Sequence, residues 1–156
     1  TFWLKDSSYK VDLLPEKAPC SIWFNLFAEQ IAGLNAKYSC NIPWYIMCSP
    51  LNEEATIAYF QENEFFGLAE ADLEFFAQGV MPATDFNGQL LVKNADNLAV
   101  SPNGHGGSLK ALNYSGSIAD MRARDIDHLS YFQVDNPLIS IVNPLFVGLH
   151  DLRKSA

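Results

Sequence analysis

Apolar residues along this chain change spacing from one stretch to the next, and the changes mark out elements. From Ser21 to Lys37 the apolar residues Ile22, Trp23, Leu26, Phe27, Ile31 and Leu34 follow helical spacing, with Gly33 near the end. Ile42 to Ser49 is apolar almost throughout, with Pro43 at its start and Pro50 after it. A short run of that kind suits a parallel strand buried on both faces. Asn52-Glu53-Glu54 then predicts a capped helix through about Glu62, with carboxylates in its first turn. Phe65 to Gly67 closes this unit, and Leu73 to Gln78 reads as the next strand. In the middle, Asp85-Phe86-Asn87-Gly88 is a turn signal beside the extended pieces Gln89–Val92 and Leu98–Val100, a β-hairpin inserted into an alternating pattern. Helical spacing returns at Ser108–Tyr114 and Ile118–Arg124. Leu129–Val134 reads as a strand and Leu145–Leu152 as a helix. Strands alternating with helices predict a Rossmann-like α/β layer, mostly parallel, with functional groups beyond the carboxyl ends of its strands.

Two places carry candidate chemistry. Ser101-Pro102-Asn103-Gly104-His105-Gly106-Gly107-Ser108 puts three glycines in four positions around one histidine, directly before a helical run. So much backbone freedom serves either a tight strand-to-helix connection or the close approach of a ligand. The spacing matches neither G-x-G-x-x-G nor the phosphate-binding GxxxxGK[ST] loop. The second place is Val134-Asp135-Asn136-Pro137, where a carboxylate follows an apolar run; it would suit Mg²⁺ or a ribose hydroxyl, or a plain turn. Gln78 and Gly79 follow another strand, where a carboxamide could read a base through its donor and acceptor. Glu62, Glu64, Glu70, Asp72 and Glu74 read as a solvated acidic face.

Composition narrows the options. The chain has 156 residues, is 49% hydrophobic and carries a formal net charge of −8, which fits one globular domain and speaks against a nucleic-acid-coating role. An acidic protein can still bind a nucleotide when Mg²⁺ bridges the charges. Cys20, Cys40 and Cys48 form no CxxC pair and read as reduced, buried thiols of a cytoplasmic protein. No apolar run is long enough for a membrane helix. The first residue is Thr, so the chain is expected to begin inside a longer protein.

Taken in order, these segments resemble the UDP-sugar pyrophosphorylase family. The resemblance is carried by Phe24–Ile31 (FNLFAEQI), Ile42–Thr56 (IPWYIMCSPLNEEAT), Phe65–Leu68 (FFGL), Phe75–Ala83 (FFAQGVMPA), Ser101–Leu112 (SPNGHGGSLKAL), Val134–Leu138 (VDNPL) and Asn143–His150 (NPLFVGLH). It implies a GT-A-type nucleotidyltransferase layer, incomplete in this chain, that transfers a uridylyl group from UTP to a sugar 1-phosphate and releases pyrophosphate. It further implies that Gln78 and the Gly106 backbone recognise uracil, with Gly79, Asn103, Gly104, Gly107 and Asn136 beside the substrate. Asp135 would hold Mg²⁺, and His105 would lie near the sugar or phosphate; these two are the implied catalytic residues.

The chain departs from the family pattern at several points. The family's G-G-x-G-T-R-L-G phosphate loop is not in this sequence, and the lysine and second metal-side aspartate that follow the VDN segment have no counterpart. Asn25 stands for Gln, Cys48 for Thr, and His105 for the Asn of many N-acetylhexosamine members. The 156 residues by themselves are therefore expected to be inactive or nearly so. A non-catalytic nucleotide-binding or interaction module of the same fold is the alternative reading, and a purely structural domain the third. The sugar and the oligomeric state stay open.

Overall fold

The computed structural model describes residues 21–154 except 135 and 137. Cys20 and Asp135 thus lie outside the described residues. The elements run α1 (Ser21–Tyr38), β1 (Trp44–Cys48), α2 (Glu53–Glu62), β2 (Leu73–Ala77), β3 (Val80–Pro82), β4 (Val92–Asn94), β5 (Asn97–Leu98), β6 (Val100–Pro102), α3 (Gly107–Ser115), α4 (Ser117–Ala123) and α5 (Pro144–Arg153).

β1 and β2 pair in parallel, with Trp44 opposite Leu73 and Cys48 opposite Ala77. All five residues of β1 are buried, because its two faces meet two different layers. Trp44, Ile46 and Cys48 pack with Phe24, Phe27, Ala28 and Ile31 of α1 and Phe60 of α2. Tyr45 and Met47 point the other way, to Ala111, Leu112 and Met121 of α3 and α4. The period of two along one strand thus produces a helix layer on each side. On α1 the buried set is Phe24, Phe27, Ala28 and Ile31, a stripe at i, i+3, i+4 and i+7. Phe24 belongs to it although the sequence pattern did not single it out.

A polar network ties α4 to the start of the sheet. The Tyr45 hydroxyl donates to Asp120 Oδ2 at 2.6 Å, and Arg124 pairs with Asp120 and with Asp72, both at 2.9 Å. The Tyr45 hydrogen bond, then Arg124, hold the Asp120 carboxyl below its ordinary range, while burial and Asp120 push the Tyr45 phenol up. Ser117 Oγ donates to Glu74. The expected acidic face is therefore divided. Glu62, Glu64 and Glu70 are exposed, whereas Asp72 and Glu74 anchor the helix layer.

Four expectations need correction. Leu129–Val134 forms no strand: Phe132 and Val134 enter the core, but the backbone joins no ladder. Alternating burial comes from side-chain packing alone here, with Ser130 Oγ bonded to the Ile141 carbonyl. The sheet is also not mostly parallel. Among the described residues there are three two-stranded pairings, and only β1–β2 is parallel. Asn52 does not cap α2 with its side chain; Oδ1 instead accepts from the Ser49 N–H at 2.8 Å, closing the β1–α2 turn. Cys40 is exposed rather than buried.

Burial pushes the Cys48 thiol up to about 12. Iodoacetamide at pH 8 is therefore expected to label Cys40 in the native protein and Cys48 only after denaturant, as peptide mass spectrometry would show. Rapid native labelling of Cys48 would contradict this packing.

Between α2 and β2 the backbone is unusual. Glu64, Phe65 and Phe66 have φ of 51°, 52° and 53°, and Gly67 follows at 77°. Only glycine adopts this region without cost; other residues lose about 1–2 kcal/mol each. Phe65 and Phe66 offset the strain by packing on the core, where Phe66 lies edge-on to Phe60 at 5.1 Å. Glu64 is exposed and has no such compensation. Glu64→Gly is accordingly expected to stabilise the protein by about 0.5–1 kcal/mol in urea titration, after subtracting the extra freedom of glycine in the unfolded chain. Destabilisation would mean that Glu64 contributes a contact outweighing its strain.

Candidate nucleotide site

The candidate site lies where the parallel pair ends. The Gln78 N–H donates to the Cys48 carbonyl at 2.7 Å, adding one more rung beyond β2. The chain then leaves as an antiparallel arm in which β3 pairs with β6 and β4 with β5. At its tip Asp85 Oδ1 accepts from the N–H groups of Asn87 and Gln89, both at 2.8 Å, and Gly88 takes φ +80°, as the Asp-Phe-Asn-Gly signal predicts. The arm returns beside its point of departure, with the Asn103 N–H donating to the Gly79 carbonyl at 3.2 Å.

This return places the glycine loop against Gln78. Gln78 is 4% exposed, and its Nε2 donates to Asn103 Oδ1 at 3.1 Å and to the Gly104 carbonyl at 3.3 Å. Asn103 in turn fills the space between two glycines. A Cβ on Gly79 would fall 2.6 Å from Asn103 Nδ2, and one on Gly107 only 1.9 Å from Asn103 Oδ1. These two positions need glycine for room, whereas Gly104 needs it for conformation at φ +79°. At Gly106 a Cβ would meet nothing within 4 Å; it is the N-cap of α3, and its backbone rather than its small size is what the site can use.

His105 projects from the same loop toward the segment before Asp135. Its Nδ1 lies 2.8 Å from the Tyr131 hydroxyl and its Nε2 lies 2.8 Å from Gln133 Nε2. The His105 and Tyr131 rings meet edge to face, with centroids 6.4 Å apart. The structure therefore brings together Gln78, Gly79, Asn103, Gly104, His105, Gly106 and Gly107. Asn136 is exposed, and its N–H donates to the Gln133 carbonyl at 3.3 Å. Tyr131 and Gln133 were not singled out from the sequence. Their alternation with Phe132 and Val134 reads as the outward face of a strand, and nothing local signals a histidine partner.

A cavity of about 420 Å³ lies behind this loop, with His105 and Tyr131 in a wall otherwise built from residues such as Trp44, Leu112 and Phe132. It is too apolar to suit a triphosphate, which needs N–H donors and cations. Among the described residues no three His, Cys, Asp or Glu side chains are grouped to hold a metal ion, and no helix is long and apolar enough to cross a membrane.

Comparison with known proteins agrees with the segments quoted above. The family model described as UTP--glucose-1-phosphate uridylyltransferase matches residues 18–152. The chain is 45% identical over 116 residues to a Schizosaccharomyces pombe protein named a probable UDP-N-acetylglucosamine pyrophosphorylase, covering 74% of this chain and 24% of that one. It is 44% identical over 129 residues to the UDP-N-acetylglucosamine pyrophosphorylase of Saccharomyces cerevisiae, covering 80% and 27%. A crystal structure of an Entamoeba histolytica protein assigned as a UDP-N-acetylglucosamine pyrophosphorylase superposes with a TM-score of 0.79 at 34% identity, over 85% of this chain and 35% of that one. The chain spans about a quarter of the length of the curated relatives it matches. With the family model matched over most of its residues, the chain belongs to the UDP-sugar pyrophosphorylase family.

Proposed function

We propose that this chain carries the uridine-nucleotide-binding part of an enzyme that makes a UDP-sugar from UTP and a sugar 1-phosphate, with an N-acetylhexosamine sugar favoured by the relatives' names. A phosphate oxygen of the sugar 1-phosphate attacks the α-phosphorus of UTP in line. A new P–O bond forms, the bond to the β-phosphate oxygen breaks, and pyrophosphate leaves. Catalysis of this kind is mainly positioning and charge neutralisation.

The observation that carries the proposal is the lock between Gln78 and the glycine loop. The carboxamide nitrogen donates to Asn103 Oδ1 and to the Gly104 carbonyl, which leaves Oε1 as the acceptor to read a ligand. Uracil offers a donor at N3 where cytosine offers a lone pair, so a carboxamide held this way selects uracil. The Gly106 backbone, at the start of α3, supplies an N–H group to the nucleotide, and His105 stands on its sugar and phosphate side.

Mg²⁺ is commonly held by one or two carboxylates together with substrate phosphates, so a site shared with UTP needs no three-residue cage. Asp135 is the residue we propose for it. When bound there, the ion would neutralise triphosphate charge, while the chain's own residues hold the base and loop.

Calorimetric titration with UTP and CTP, with and without Mg²⁺, tests this reading. UTP is expected to bind in preference to CTP, and Gln78→Ala to weaken UTP by about tenfold or more, because it removes a buried hydrogen-bonding group. A folded chain that binds neither nucleotide, or binds both equally, would refute uracil recognition at Gln78.

A further inference from the structure

We infer that Tyr131 and Gln133 are positioning residues that act through His105, clasping the glycine loop to the segment that crosses it; the inference rests on the nucleotide site proposed above. The loop is anchored on one side by the sheet end, through Gln78 and Asn103. Its other side, at the start of α3, faces residues 129–134, which join no strand ladder. That segment is held from below by Phe132, whose ring meets Phe27 at 5.2 Å, and by the Ser130–Ile141 bond. Where it faces the loop, Tyr131 and Gln133 reach the His105 ring.

Two side chains hold the ring. Gln133 Nε2 lies 2.8 Å from His105 Nε2 and 3.2 Å from Nδ1, so this donor sits against the ring between its two nitrogens. The Tyr131 hydroxyl meets Nδ1 at 2.8 Å, where the ring's tautomer decides which atom donates. The clasp thus fixes one ring orientation. With protein groups against both ring nitrogens, His105 acts by fixing the loop.

The loop backbone makes this consequential. The His105 carbonyl accepts from the Ser108 N–H at 3.1 Å and from Ser108 Oγ at 2.6 Å, so it is part of the first turn of α3. Fixing the ring therefore fixes where the Gly106 N–H points, beside a Gly107 N–H already bonded to the Gly104 carbonyl at 3.1 Å. The anchor at Gln78 serves the base, and the clasp serves what lies beyond it.

The test uses Tyr131→Phe and Gln133→Leu, each of which removes one hydrogen bond while keeping most of the bulk, and their double variant. Without ligand, ¹⁵N–¹H correlation spectra should show the His105 imidazole resonances shifted in both variants relative to the wild type. Amide exchange at Gly104–Ser108 should rise about three- to tenfold, the worth of one hydrogen bond. With ligand, uridine affinity should stay within about twofold, while UTP affinity falls by roughly three- to tenfold per variant. A merely structural role would instead weaken both ligands equally or neither. Unchanged imidazole spectra and loop exchange in the double variant would overturn the clasp. If the wild type binds no UTP, the nucleotide reading fails, and the clasp is still decided by the ligand-free spectra.

Discussion

Phe60→Ala is expected to lower stability by about 3–5 kcal/mol, the usual cost of emptying a buried aromatic site. Phe60 is 0% exposed and meets four rings edge-on: Phe24 at 4.9 Å, Phe75 at 5.0 Å, Phe66 at 5.1 Å and Trp44 at 5.6 Å. These rings belong to α1, β1, β2 and the left-handed turn, so no single element can collapse into the void. Domains are stable by only about 5–15 kcal/mol, and a loss of this size is a large share of that margin. For a domain of this length it lowers Tm by roughly 6–20 °C. Phe60→Leu should lose less than half as much. Calorimetric unfolding of both variants checks the expectation, and a loss under 1 kcal/mol for Phe60→Ala would show that the ring cluster is not the centre of the core. Because Phe60 lies away from the glycine loop, the fraction that remains folded should bind UTP like the wild type.

Gly107→Ala is expected to do the reverse, with nucleotide binding suffering more than stability. The new methyl would sit 1.9 Å from Asn103 Oδ1 and 2.3 Å from its Cγ, closer than atoms can stand. Asn103 must then swing away, and its bond with Gln78 Nε2 breaks. Overpacking of this kind costs about 1–3 kcal/mol. The larger effect is that a buried carboxamide loses the partner that sets its direction, so UTP affinity should drop by about tenfold or more. Asn103→Gly introduced together with Gly107→Ala removes the clash and should restore most of the stability but not the affinity. Such behaviour is a coupling between neighbours and is read from the double-mutant cycle. Wild-type affinity in Gly107→Ala would mean that Asn103 does not orient Gln78.

The sequence showed most clearly what depends on neighbours along the chain. The unbroken apolar run through Trp44–Cys48 signalled a strand covered on both faces, and two helix layers cover it. Asp85 to Gly88 signalled the arm, because turn chemistry is local. Segments whose form depends on distant partners were misjudged. Leu129–Val134 has the alternation of a strand, but alternation reports which side chains are buried, not which backbone groups find a ladder. The left-handed stretch Glu64–Gly67 leaves no trace except Gly67, since its strain is offset by Phe65 and Phe66 packing elsewhere. At the site, Gln78 and the glycine loop could be proposed as neighbours. The direction of the Gln78 carboxamide could not, because Asn103 lies 25 residues away and its seat depends on two glycines. Asp135 remains a sequence-based proposal.

The arm from Val80 to Pro102 has a consequence for how this protein can vary. Its first and last residues pair with each other, and the chain re-enters through the Gly79–Asn103 bond. Whatever happens between them is closed off at the base, as in a loop of string tied at its neck. Length can be gained or lost at Asn87–Gly88, beside the fully exposed Phe86, without moving Gln78 or the glycine loop. Homologues can therefore diverge in this arm at no cost to the proposed site, and a reporter domain grafted at its tip would ride on the fold as a passenger.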